Sequence, residues 1–192
     1  MWNSIIKPTL VLFLVCVVIS GSLAYVNGIT KDTIQKNTQA EQEEFRRQVL
    51  QESEKFEPAE QEGMPETVKG IYTGFAGNDP VGFVVEVSPK GYGGAINMTV
   101  GVNMEGDVTG VIVGNNNETP GLGSKATGGD FIAQFSSITM KELADNVLVV
   151  VKQQPKAANE VQAVSGASIS SRAITRGVQE ALDAVKIVKG GD

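Results

Sequence analysis

The sequence predicts an α+β fold, with one N-terminal transmembrane helix followed by one domain that has a mainly antiparallel sheet flanked by helices. Three patterns predict it. Residues 10–26 form an uncharged apolar run, apolar residues then recur at every second position between residues 81 and 113, and they recur at three- and four-residue steps between residues 172 and 185. We therefore expect an anchor over residues 1–28, a helical linker over 29–65 and one domain over 66–192.

The first element is the apolar run. A helix needs about 20 apolar residues to span a bilayer, and residues 5–26 supply them. Lys7 precedes the run and Lys31 follows it closely, so the charge bias is slight; we expect the N-terminus inside and the body on the extracytoplasmic side of the plasma membrane. The alternative is a cleaved signal peptide, for which Ser22-Leu23-Ala24 is a plausible site.

The linker comes next. Residues 30–56 are polar and rich in Gln and Glu, with isolated apolar residues among them. This pattern predicts a helix that leaves the membrane and then docks loosely on the domain, with its charges on a solvated face. Pro58 and Gly63-Met64-Pro65 end the helical region.

Alternating apolar residues then indicate strands. Such runs lie at residues 81–87, 98–104 and 108–113, separated by turn signals, and predict an antiparallel meander. The flexible loop Gly91-Tyr92-Gly93-Gly94 lies within it. A short helix is expected over Phe131 to Phe135, and two more strands over residues 147–152 and 160–164.

The last element is an amphipathic helix. Residues 172–185 place apolar side chains on one face, and Ser170 and Ser171 are candidate N-caps. The hydroxyls of Ser165 and Ser168 then lie just ahead of a helix N-terminus, where free N–H groups favour an anion such as a phosphate. Serines in this position are more often only caps, so the pattern alone leaves both interpretations open.

Composition removes several classes of function. The chain of 192 residues has a net charge of −6, which argues against nucleic acid as a partner. It has no histidine, which excludes Ser-His-Asp catalysis and histidine zinc sites. The one cysteine, Cys16, lies in the apolar run, so the chain has neither a disulfide nor an iron–sulfur cluster of its own. If the protein moves electrons, it needs a borrowed cofactor.

Two motifs carry a resemblance to a known family. Val164 to Ser171 resembles the S-G-A-T/S flavinylation motif of membrane-anchored FMN-binding domains, and Glu118-Thr-Pro-Gly-Leu-Gly123 resembles the E-T-P-G-L-G loop of the same family. With the N-terminal segment and the length, the chain resembles the G subunits of Rnf electron-transport complexes. The related C subunits of sodium-pumping NADH:quinone reductases are the longer alternative.

The resemblance implies a function. Residues 66–192 would be an FMN-binding domain, and the protein would relay electrons within a membrane complex that couples ferredoxin and NAD to ion movement. Its partners would be the other membrane subunits and, transiently, a flavin transferase that donates FMN phosphate from FAD. The flavin would be bound to the Ser168 hydroxyl as a phosphoester, and no residue need act as a catalytic acid or base.

The resemblance also implies the site residues. The phosphate side would be formed by Ser165, Gly166, Ala167 and Ser168. The second wall would be formed by Thr119, Pro120, Gly121, Leu122, Gly123 and Lys125. In this wall Leu122 could stack on the flavin ring and Lys125 could favour its reduced, anionic form; Tyr72 and Tyr92 are further candidates for stacking.

One departure keeps a second function open. The family motif has Asp three residues before its first Ser, and this chain has Gln162 there. If that Asp guides the transferase, the same fold could serve without flavin as an extracytoplasmic binding or assembly module. A serine hydrolase is excluded because the chain lacks both histidine and a G-x-S-x-G sequence.

Overall fold

The structure, a computed structural model, describes residues 5–59, 62–143 and 146–190. The chain divides into two compact units at residues 43 and 44. Most of the first unit is the exposed part of α1, Lys7–Val49, whose segment Lys7–Lys31 is long and apolar enough to cross a membrane. The boundaries predicted at residues 28 and 65 stay predictions.

The predicted linker helix is too long at its C-terminal end. Helix α1 ends at Val49, and Lys55–Pro58 form strand β1 instead of helix. This part of the prediction is wrong because Lys55 to Pro58 pair antiparallel with a strand that ends at Ala76, and the Glu54 N–H donates to the Phe75 carbonyl. Sheet pairing overrides a weak local helical preference.

The second unit contains the antiparallel sheet. Its strands are β1, β2 (Val68–Ala76), β3 (Asp79–Val87), β4 (Met98–Asn103) and β5 (Val108–Val113). Among the described residues they form one sheet in chain order, each antiparallel to its neighbour. The predicted meander is confirmed, and β1 and β2 extend it by two strands that the alternation pattern did not predict.

One face of the sheet is covered by α5, Ser168–Val188. Its inner stripe is fully buried against strand residues such as Val85 and Val100. The helix begins at Ser168 rather than at Arg172, so Ser170 and Ser171 are not N-caps, which corrects the prediction. They lie inside the first turn because the Ser171 N–H already donates to the Ala167 carbonyl over 2.8 Å.

The opposite face of the sheet is packed against the end of α1. Val49 and Leu50 are each 2% exposed and form a small core with Val84. Four glycines, which we call the glycine floor, let this segment approach the strands: Gly74, Gly82, Gly101 and Gly110. A Cβ on Gly101 would lie 2.3 Å from the Val49 carbonyl oxygen, so backbone meets backbone here.

Short elements connect β5 to α5. They are α2 (Gly123–Ala126), α3 (Gly129–Ile132), a 3-10 helix (Ala133–Ser137), α4 (Met140–Leu143), β6 (Val149–Val151) and β7 (Glu160–Gln162). The helix expected over Phe131 to Phe135 is thus split into α3 and the 3-10 helix. Strands β6 and β7 pair in parallel, and β7 leads into the loop that contains Ser165. This connection brings the two sequence motifs to the same end of α5.

Candidate cofactor pocket

A cavity of about 460 Å³ opens beside the N-terminus of α5. Three separate segments line it: the loop before β4, the loop before α2 and the start of α5. The lining residues are Tyr92, Glu118, Thr119, Leu122, Gly123, Gly166, Ala167, Ser168, Ile169 and Ser170. Cofactor pockets are commonly about 300–1,000 Å³, so the cavity is large enough for a small cofactor.

The N-terminus of α5 at this cavity has the features of an anion-binding site. Ser168 is the first residue of the 21-residue helix α5, and no side chain hydrogen-bonds to its free N–H groups as a cap. Gly166, which precedes the helix, has a φ of +79°, a conformation that a side chain would strain. The half-buried Ser168 thus lines the cavity at a helix N-terminus, which would stabilise a bound phosphate.

A buried carboxylate lies in the wall of the cavity. Glu118 is 6% exposed, and its Oε2 accepts a hydrogen bond from the Ser170 Oγ over 2.5 Å. Its Oε1 accepts another from the Gly93 N–H over 3.0 Å. The three lining segments are therefore bonded to each other through one side chain.

Apolar side chains form the rim of the cavity. Tyr92 is 69% exposed, Ile169 52% and Leu122 50%. These values are high for large apolar side chains in the second unit, and all three residues line the same cavity. An apolar rim beside an uncapped helix N-terminus suits a flat aromatic ring that carries a phosphate.

Most of the predicted site residues meet at this cavity. Thr119, Leu122 and Gly123 face Gly166, Ala167 and Ser168 across it. Pro120, Gly121 and Ser165 are exposed and do not line it. The first two shape the turn instead: Gly121 has a φ of +78°, and its N–H donates to the Ser124 Oγ.

Lys125 and Tyr72 lie elsewhere. Lys125 lines a second cavity of about 700 Å³ together with Gln134 and Gln162, so it does not belong to the pocket in which it was expected. Tyr72 lies on the α1 side of the sheet, with the Arg46 guanidinium 3.6 Å above its ring. Neither position could be predicted from nearness in the sequence to the pocket residues, because each depends on which face of its element is turned to the cavity.

Glu118, Ile169 and Ser170 line the pocket, but sequence reasoning did not select them as site residues. Glu118 was visible as the first residue of E-T-P-G-L-G, although a single acidic residue in a loop is usually solvated. Ser170 was interpreted as a cap. The bond between the two could not be predicted because 52 residues separate them.

The comparisons with known proteins identify the family. A model of the FMN-binding domain matches residues 91–183, which include every residue that lines the pocket, and a model of the RnfG N-terminal region matches residues 1–49. The G-type subunit of the Na(+)-translocating ferredoxin:NAD(+) oxidoreductase complex of Acetobacterium woodii is 35% identical over 92% of this chain and 89% of its own length. The chain belongs to the RnfG family.

Two further comparisons extend this result. The G-type subunit of the proton-translocating ferredoxin:NAD(+) oxidoreductase complex of Clostridium ljungdahlii is 33% identical over 98% of this chain and 96% of its own length. The crystal structure of Shewanella oneidensis NqrC is similar in fold, with a TM-score of 0.50 and 20% identity over 75% of this chain and 73% of that one. RnfG-family membership and an NqrC-like fold are thus both established.

Proposed function

We propose that this RnfG-family protein relays electrons in a membrane-bound, ion-translocating oxidoreductase complex of the ferredoxin:NAD type, through FMN bound to Ser168 as a phosphoester. Its partners are the other membrane subunits of the complex and, transiently, a flavin transferase. The protein crosses the plasma membrane once, with its FMN-binding domain on the extracytoplasmic side.

The observation that carries this proposal is the position of Ser168. It is the residue that the flavinylation motif selects, and it lies at the uncapped N-terminus of α5 and in the lining of the 460 Å³ cavity. The E-T-P-G-L-G loop supplies another wall of the same cavity. Two motifs more than 40 residues apart in the chain therefore line one cavity.

The first unit supports the membrane part of the proposal. Lys7–Lys31 is an apolar helical segment near the N-terminus, and none of it is buried against the rest of the protein. A cleaved signal sequence would share these properties, but the RnfG N-terminal region matches residues 1–49, which include the whole segment. The names of the A. woodii and C. ljungdahlii relatives place those proteins in ion-translocating complexes.

The residues of the pocket have separate tasks in this proposal. The first N–H groups of α5 hold the phosphate, and Gly166 lets the backbone come close to it. Leu122, Tyr92 and Ile169 cover the apolar ring. FMN, when bound, supplies the ability to accept and release electrons, while the protein supplies its position and electrostatic surroundings.

The attachment reaction balances in atoms and in charge. The Ser168 Oγ forms a bond to the flavin-side phosphorus of FAD, the phosphoanhydride bond breaks, AMP leaves and the serine proton is released. The product phosphodiester keeps one negative charge, which the α5 N-terminus stabilises. A tethered cofactor cannot diffuse away outside the cell.

Intact-protein mass spectrometry tests the proposal on the full chain produced with the transferase. We expect an FMN-phosphate adduct on the wild-type chain, no adduct on Ser168→Ala, and an adduct on Ser168→Thr, which keeps a hydroxyl. Ser136→Ala is the matched control because Ser136 is exposed on the 3-10 helix. An adduct that persists on Ser168→Ala would overturn the assignment.

One observation favours a second function. Gln162 replaces the Asp of the family motif, and its backbone is held by Gln134 through hydrogen bonds of 2.8 and 3.2 Å. Without that Asp the chain could stay unmodified and act as a binding or assembly module. A wild-type chain without adduct, made beside an active transferase and still assembled with its complex, would favour this alternative.

A further inference from the structure

Glu118 joins the three segments that line the FMN pocket. Its two carboxylate oxygens accept hydrogen bonds from different segments, one from the Gly93 N–H and one from the Ser170 hydroxyl. The segment of Glu118 itself continues into Thr119 and Leu122, which line the cavity. Among the described residues, this is the side chain that hydrogen-bonds to both of the other walls.

The space around the carboxylate is closely fitted to it. A Cβ on Gly91 would lie 2.4 Å from the Glu118 Oε1, and a Cβ on Gly123 would lie 2.3 Å from the Oε2. A Cβ at either glycine would therefore displace the carboxylate from the position in which it accepts its two hydrogen bonds. The Glu118 side chain is therefore enclosed by three segments rather than folded over the surface.

The charge of this carboxylate has no cationic partner among the ion pairs of the described residues, which are those of Arg46, Lys55 and Arg176. Burying an unpaired charge is costly unless hydrogen bonds compensate for it. Here two donors and the positive end of α5 compensate, and Ser170 belongs to the first turn of that helix. The negative charge therefore lies in the wall of the cavity.

We propose that Glu118 is a positioning residue that holds the three walls of the FMN pocket together, and that its charge makes the reduction potential of the bound flavin more negative. This inference rests on the proposed function. The Gly93 bond holds the segment of Tyr92 against the segment of Leu122, and the Ser170 bond holds both against the helix end that carries Ser168. A negative charge beside the flavin opposes the addition of electrons.

Hydrogen exchange tests the positioning role without any cofactor. The full-length chain produced without flavin is compared as wild type, Glu118→Ala and Glu118→Gln. Gln can accept from the Gly93 N–H through its oxygen and donate to the Ser170 hydroxyl through its amide, so it should restore what Ala removes. We expect exchange at residues 91–94 to become about tenfold faster in Glu118→Ala and to stay close to wild type in Glu118→Gln.

Flavin loading and reduction potential test the same residue in the chain produced with the transferase. We expect Glu118→Ala to lower the fraction of chains that carry FMN, and Glu118→Gln to keep it. The potential of the flavin in Glu118→Gln should shift to a more positive value, which a purely structural role would not cause. Glu142→Gln, at an exposed glutamate of α4, is the control and should change neither quantity.

The outcomes separate this inference from the proposed function. Wild-type exchange at residues 91–94 in Glu118→Ala would overturn the positioning role, and an unchanged potential in Glu118→Gln would overturn the role of the charge. If Glu118→Ala does not fold, Ser170→Ala replaces it and should speed exchange at residues 168–172 but not at 91–94. If the wild-type chain carries no FMN, the proposed function fails while hydrogen exchange still decides the positioning role.

Discussion

The two faces of the sheet are packed against helices in opposite ways. On one face, α5 inserts fully buried aliphatic side chains such as Val178 and Leu182 between those of the strands. On the other face, the end of α1 lies directly on the glycine floor, and Val49 and Leu50 approach the strand backbone itself.

The two kinds of packing predict which substitutions each face tolerates. Aliphatic side chains can shift between rotamers, so the α5 face loses stability mainly when volume is removed. A backbone that lies on glycine has no side chain that can move, so the α1 face loses stability when volume is added. The α5 face also carries the candidate cofactor pocket, whereas the α1 face holds the end of the helix that includes the apolar segment.

The largest loss of stability is expected from a substitution on the α5 face. Leu182→Ala removes a side chain that is 0% exposed and should lower the free energy of unfolding by about 2–5 kcal/mol. Chemical unfolding of the full-length chain in detergent measures it. Val147→Ala, where the side chain is 60% exposed, is the control and should cost far less. Equal losses from the two variants would contradict the aliphatic packing of this face.

The next largest loss of stability is expected when one methyl group is added on the α1 face. In Gly101→Ala the new Cβ would lie 2.3 Å from the Val49 carbonyl oxygen, and the strain should cost about 1–3 kcal/mol. The same unfolding measurement applies. Gly129→Ala is the matched control, because no atom lies within 4 Å of its Cβ. Wild-type stability of Gly101→Ala would show that the helix end does not lie on the glycine floor.

Removing a polar contact on the α1 face should lower the stability by a smaller amount. Arg46 bonds to Glu86 at 2.7 Å and covers the ring of Tyr72, and both charged side chains are largely shielded from solvent. Arg46→Gln should cost about 1–2 kcal/mol, between the value of an exposed pair and that of a buried one. The neighbouring exposed Arg47→Gln is the control. A loss in Arg47→Gln as large as in Arg46→Gln would argue against a specific contact.

The smallest effect on stability should come from a change next to the site. Gln162→Asp introduces the Asp of the flavinylation motif that this chain resembles, at an exposed position whose backbone Gln134 already holds, so stability should stay within about 0.5 kcal/mol of wild type. The fraction of chains with an FMN adduct, measured by mass, should rise. Gln154→Asp, in the lining of the same second cavity, should not raise it. A wild-type chain that is already fully modified would show that residue 162 does not limit the reaction.

Elements with a strong local pattern could be predicted from the amino-acid sequence. Alternation predicted β3 to β5, the 3.6-residue period predicted most of α5, and the apolar run predicted the first part of α1. These elements follow from neighbouring residues, so a local pattern is enough to predict them. That Ser168 and the Thr119 to Gly123 loop belong to one site was instead indicated by the resemblance of two motifs to a known family.

Contacts between segments that are distant in the chain could not be predicted in this way. Strand β1 exists because it pairs with β2, and Gly74 and Gly101 lie in strands because a helix end lies on them rather than because the chain turns there. Lys125 faces a different cavity, and Glu118 meets Ser170 across 52 residues. Contacts of this kind depend on the packing of whole elements, and a single sequence does not show that packing.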